Sequence, residues 1–92
     1  MADSSFEVAF ALSARAYYDA LPALDRTEID AIREAIEADP SPDGQLKRAL
    51  GVLDLFVYED ERWAVLYEMS EPGHISIGEI ARTDQPRSWR PS

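Results

Sequence analysis

The sequence predicts an α+β fold: an N-terminal strand, two helices, then a three-strand antiparallel meander, forming one four-stranded sheet. Three observations predict it. Apolar residues alternate with period two in "FEVAFAL" (residues 6–12) and again over residues 53–81. Between these stretches Ile29, Ile32 and Ile36 recur at helical spacing. Short turn signals, not long crossovers, separate the later strands, which favours antiparallel neighbours with helices packed on one face.

In the first strand Phe6, Val8, Phe10 and Leu12 share one parity, so one face is expected to be buried. Ser13 follows as a candidate helix cap, and "ARAYYDAL" forms a short helix that ends at Pro22. Asp25 is expected to begin the second helix, with Glu28 three residues on as in a capping box. Glu28, Asp30, Glu34 and Glu37 fall largely on faces away from the isoleucines. "DPSPDG" (39–44) ends that helix. Residues 45–52 read as a connector with a helical turn.

"LDLFVY" (53–58) alternates again, with Phe56 and Tyr58 on one face and Leu53, Leu55 and Val57 on the other. The acidic run "EDE" (59–61) is poor strand material and reads as a turn. "RWAVLYEM" (62–69) places Trp63, Val65, Tyr67 and Met69 together, most simply as core. "SEPG" (70–73) is a turn signal, and "HISIGEIA" (74–81) the last strand. Its apolar residues step from Ile77 to Ile80, a parity slip that a bulge at Gly78 would absorb.

Ninety-two residues make one domain, 1–92, with a modest core; residues 83–92 are expected to be a flexible tail. The chain has no cysteine, which excludes disulfides and thiolate metal sites. Asp3 and Glu7 do not fit a secretory signal, and no apolar run approaches the roughly 20 residues of a membrane span. A cytoplasmic location is the simplest expectation. The formal charge is −9, from 18 acids and 9 bases, which disfavours phosphate backbones and anionic membranes. Only the C-terminal end is locally basic, with Arg82, Arg87 and Arg90 against Asp84.

Three segments together resemble the RelE/ParE superfamily of type II toxin–antitoxin toxins, over about residues 6–90. "FEVAFALSARAYYDALP" resembles the family's first strand and helix. "LDLFVYEDERWAVLYEM" resembles its central hairpin, and "HISIGEIAR" its last strand. The resemblance implies a protein antitoxin as partner, and for the endonuclease members the ribosome and mRNA as well. It implies cations aimed at a dianionic transition state, and no cofactor or metal. The matching candidates for catalysis are Arg62, Arg82 and Arg90. This chain departs from the pattern: Ala64 stands where an arginine usually follows the aromatic, and Thr83 follows Arg82 at the expected basic position. The late aromatic is Trp89, which cannot serve as a general acid or base.

Two functions follow. One is a toxin-family protein that acts by protein interaction, with weak or absent mRNA endonuclease activity. The other is an active ribosome-dependent endonuclease neutralised by an antitoxin. Arg62, Arg82, Arg87 and Arg90 either converge on an anion or pair with Glu61, Glu79 and Asp84. Lys47 and Arg48 are candidate RNA contacts. His74, the sole histidine, is either an acid–base group or a solvent-facing strand residue. One of Tyr17 and Tyr18 is a candidate partner contact, as are the helical face Ile29–Glu37 and the sheet face of Phe56 and Tyr58. Glu59, Asp60 and Glu61 lack the spaced oxygens of a divalent-ion site.

Overall fold

The computed structural model describes residues 7–41, 46–51, 54–71 and 73–84. Their order is β1 (Glu7–Phe10), α1 (Leu12–Asp19), α2 (Ala23–Ala38), β2 (Lys47–Ala49), β3 (Leu55–Glu59), β4 (Trp63–Glu71) and β5 (His74–Arg82). The α+β class agrees with the sequence. The sheet does not: it has five strands in the order β1-β5-β4-β3-β2 and is mixed, not four-stranded.

Two segments account for the difference. Lys47–Ala49 is an edge strand antiparallel to β3, with Lys47 opposite Tyr58 and Ala49 opposite Phe56. Three residues of sequence "KRA" carry no readable period, so the pattern that marks other strands is missing. After this strand Gly51 adopts φ 78°, and Leu50 donates its N–H to the Leu55 carbonyl at 3.0 Å. That backbone region suits glycine. The second segment is β1, which pairs parallel with β5, Glu7 opposite His74 and Phe10 opposite Ile77. A parallel neighbour needs a long crossover, which the helices and the other strands supply.

The rest of the meander follows the expected order, with β3 running into the acidic turn as far as Glu59 and β4 continuing to Glu71. β3 and β4 are antiparallel, with Tyr58 opposite Val65. β4 and β5 turn through Gly73, also at φ 78°. In their register Leu66 faces Glu79 while Tyr67 faces Ile77, so Gly78 is skipped at the anticipated parity slip. The slip leaves Ile75, Ile77 and Ile80 all buried.

The helix starts differ from the reading. α1 begins at Leu12, so Leu12 leaves the strand parity and is 90% exposed. Ser13 lies inside the helix and its hydroxyl donates to the Gly78 carbonyl, 3.4 Å away on β5. α2 begins at Ala23, entered through Pro22 at φ −60°, a value proline holds without cost. Asp25 is therefore a first-turn residue, not the cap. It opens the buried stripe of α2, followed by Ile29, Ile32 and Ile36.

The two helices cover one face of the sheet. Ile29, Ile32 and Ile36 meet Tyr58, Trp63, Val65, Tyr67 and Ile77 in a single core, joined by Ala14. Trp63 and Tyr67 are core residues, as their parity implies. Tyr67 donates its hydroxyl to the Pro40 carbonyl at 2.7 Å, and its ring stacks on Phe56 with centroids 5.6 Å apart. The face of Phe56 and Tyr58 is thus turned mostly inward, and so is the isoleucine face of α2; Tyr58 and Ile32 show only their margins, 8% and 5% exposed. Tyr17 and Tyr18 are both half-buried against this core. No helix among the described residues is long and apolar enough to cross a membrane.

Candidate functional site

The site begins with the tight β3–β4 turn. Asp60 accepts the backbone N–H groups of Arg62 and Trp63 on Oδ1, each at 2.8 Å, and the Tyr58 hydroxyl on Oδ2 at 3.1 Å. A short acidic side chain is well suited to this, since it mimics a turn carbonyl. The turn sets Arg62 at the strand entrance and Trp63 on the core face. Across the ladder Trp63 stands opposite Arg82, the last residue of β5. Thr83 then ties the two strand ends: its N–H reaches the Arg62 carbonyl at 3.0 Å and its hydroxyl the Glu61 carbonyl at 2.7 Å.

Both arginines turn toward the first turns of α2. Arg82 donates from Nη2 to Asp25 Oδ2 at 2.8 Å, and its guanidinium lies 4.8 Å from the Trp63 ring centroid. Arg62 places Nη1 3.1 Å from Glu28 Oε2 and Nη2 a longer 3.5 Å from Asp25 Oδ1. Trp63 donates its indole N–H to Glu28 Oε1 at 2.6 Å. Two carboxylates thus meet two guanidiniums and one indole. The Asp25 side chain is 11% exposed, and a carboxylate that far from water requires cationic partners. Its place near a helix N-terminus also favours negative charge.

This node is neutral as a unit. A phosphate arriving at Arg62 and Arg82 would meet guanidiniums whose charge Asp25 and Glu28 already balance. Their partners are Asp25 and Glu28, and not the nearby Glu61, Glu79 and Asp84 that the sequence suggested.

The remaining candidates lie elsewhere. Arg87, Trp89 and Arg90, along with most of the expected tail, fall outside the described residues. Lys47 is buried and donates Nζ to the Asp39 carbonyl. Arg48 pairs with Glu59 at 2.6 Å. His74 is exposed, with Nδ1 3.2 Å from Glu7 Oε1. It starts the strand that Arg82 ends, so about 26 Å of extended chain separates them. His74 and the two arginines therefore cannot serve one reaction centre. Among the described residues no cluster of three or more His, Cys, Asp or Glu side chains is placed to hold a metal ion.

Beside the node, between α2 and the β3–β4 turn, a cleft of about 760 Å³ opens. Ile32, Tyr58 and Trp63 form its floor, and Ala31 and Leu46 its apolar edges. Glu28, Asp60, Glu61 and Arg62 supply its charges. On the far side of Arg62 a smaller hollow of about 270 Å³ is lined by Glu61, Arg62, Arg82, Thr83 and Asp84.

Sequence reasoning missed Asp25 and Glu28. A signal was present: Asp25 stands four residues before Ile29, on the same helical stripe as Ile32 and Ile36. An acid on an apolar stripe calls for a cation from another element. No family model matches the chain, and neither a curated protein nor a solved structure does.

Proposed function

We propose that this chain acts by binding another protein in the cytoplasm, as a relative of the RelE/ParE toxins with weak or absent mRNA endonuclease activity. The family part of this reading rests on the three sequence segments that resemble those toxins. The weak or absent catalysis rests on one observation above all: Arg62 and Arg82 are both engaged by Asp25, with Glu28 holding Arg62 a second time. Phosphoryl chemistry of the endonuclease kind needs cations free to meet charge as it develops. Here that charge is already answered by carboxylates. Ala64, at the position where the family usually carries arginine, is fully buried and adds no charge. The overall −9 works in the same direction, since it opposes approach to the ribosome and mRNA.

The test is expression of the chain without a partner, followed by ribosome-programmed mRNA cleavage with the purified protein. The expected results are normal host growth and intact mRNA. Cleavage that disappears in Arg82→Ala would establish the endonuclease reading instead.

A further inference from the structure

Beyond the ion-pair node, the cleft between α2 and the β3–β4 turn has a chemistry of its own. We propose that it is a docking site for a basic amphipathic protein segment, one that seats a large apolar side chain on Trp63 and Ile32 while its lysines or arginines meet the acidic rim. The inference rests on the interaction reading above and gives it a surface and a partner chemistry.

Charge complementarity selects that occupant. Three carboxylates, Glu28, Asp60 and Glu61, line the cleft against one guanidinium, Arg62; Glu28 is taken up by Arg62 and the Trp63 indole, which leaves Asp60 and Glu61 as the charges an incoming cation meets. That guanidinium is already held by Glu28 and Asp25, so it offers little to an anionic visitor. Asp60 is fixed by the turn and cannot swing away. Glu61 is exposed on the rim. An acidic segment would meet repulsion here, and a purely apolar one would leave the rim charges desolvated and unpaired. A segment with both characters satisfies the floor and the rim together.

Size and shape agree. A volume of about 760 Å³ is that of a small-molecule pocket, roughly 300–1,000 Å³, which leaves room for a large anchor side chain. Leu46 keeps 41% of its surface exposed at the edge, and Ala31 is exposed on α2 beside it. Small residues on a helix flank let a second backbone come close, while the buried indole and tyrosine give a rigid floor. The occupant is therefore a protein segment carrying an anchor side chain, not an extended polyanion.

The experiment titrates the full chain with a lysine-rich amphipathic peptide bearing a leucine stripe, and with a glutamate-rich peptide of the same stripe. Binding is followed by calorimetry and by the Trp63 indole N–H resonance, assigned through Trp89→Phe. The lysine-rich peptide should bind and shift that resonance, and the glutamate-rich one should not. Leu46→Lys and Glu61→Lys, both at exposed positions, should each weaken binding about tenfold or more. Glu34→Lys makes the same charge change on an exposed part of α2 that does not line the cleft, and should cost less than about threefold. Equal loss from Glu34→Lys and Glu61→Lys would overturn the proposal, as would equal affinity for the two peptides or no binding at all. Self-association of the chain that Leu46→Lys abolishes would overturn it too, since the occupant would be a second copy. The mRNA assay on the same preparation separates the two claims. Intact mRNA without peptide binding removes only the cleft assignment, whereas cleavage removes the interaction reading beneath it.

Discussion

At its closed end the β4–β5 hairpin turns through Gly73 at φ 78°, and beyond the turn His74 and Glu7 pair in the open, 58% and 73% exposed. At its other end Trp63 and Arg82 face one another against α2, and the Asp25 carboxylate that Arg82 meets is 11% exposed. One end relies on a glycine turn and an exposed histidine–carboxylate contact that water screens. The other is held around one carboxylate, Asp25, that water barely reaches. The same ladder therefore ends in two places where an arginine or histidine beside a carboxylate means different things. Exposed pairs contribute little to stability, whereas a buried acid deprived of its partner is costly.

Substitutions at the two ends should separate sharply. The largest effect is expected from Arg82→Ala, about 2–3 kcal/mol in denaturant unfolding. It leaves Asp25 with a 3.5 Å contact to Arg62 alone and strips the cation from the Trp63 ring. Asp60→Ala should follow at about 1–2 kcal/mol, because two backbone N–H groups and the Tyr58 hydroxyl lose their acceptor. At the closed end Gly73→Ala should cost roughly 1–2 kcal/mol. A Cβ there meets nothing within 4 Å, so the cost is conformational and not a clash. Glu7→Gln should change stability by no more than about 0.5 kcal/mol, the scale of exposed pairs. A loss at Glu7 comparable to that at Arg82 would break the contrast between the ends.

A smaller effect is expected from pH. Tyr18 donates its hydroxyl to Asp30 at 2.7 Å, and that bond, followed by partial burial, raises its pKa above the ordinary tyrosine value. The folded state thus holds the proton more tightly than the unfolded chain does. Its contribution is fully present below the unfolded tyrosine pKa of about 10 and is lost as pH rises through the folded value. Tyr18→Phe should flatten that alkaline loss of stability, measured by thermal unfolding across the alkaline range. An unchanged alkaline slope would show that the Asp30 bond does not persist in solution.

The contrast also explains what could be read from the residues beforehand. Period two marked β3, β4 and β5, and the step from Ile77 to Ile80 located the bulge at Gly78, because one buried face imposes parity on every strand that shares it. The "KRA" strand stayed hidden: its neighbour recruits it by backbone pairing, and three residues leave no period to see. The parallel seat of β1 was equally invisible, since alternation records which face is buried and not which strand lies alongside. In the candidate site, Arg62 and Arg82 stood out as cations at strand ends, but their partners did not. Asp25 and Arg82 are 57 residues apart, and only the docking of α2 on the sheet brings them together.

The claim on which the rest depends is that Asp25 holds Arg82 in place. A double-mutant cycle of Asp25→Ala and Arg82→Ala in denaturant unfolding measures this directly. The two changes should be strongly non-additive, with a coupling energy of about 1–3 kcal/mol. Additivity within about 0.3 kcal/mol would contradict the account, leaving Arg82 uncommitted and free to meet an anion.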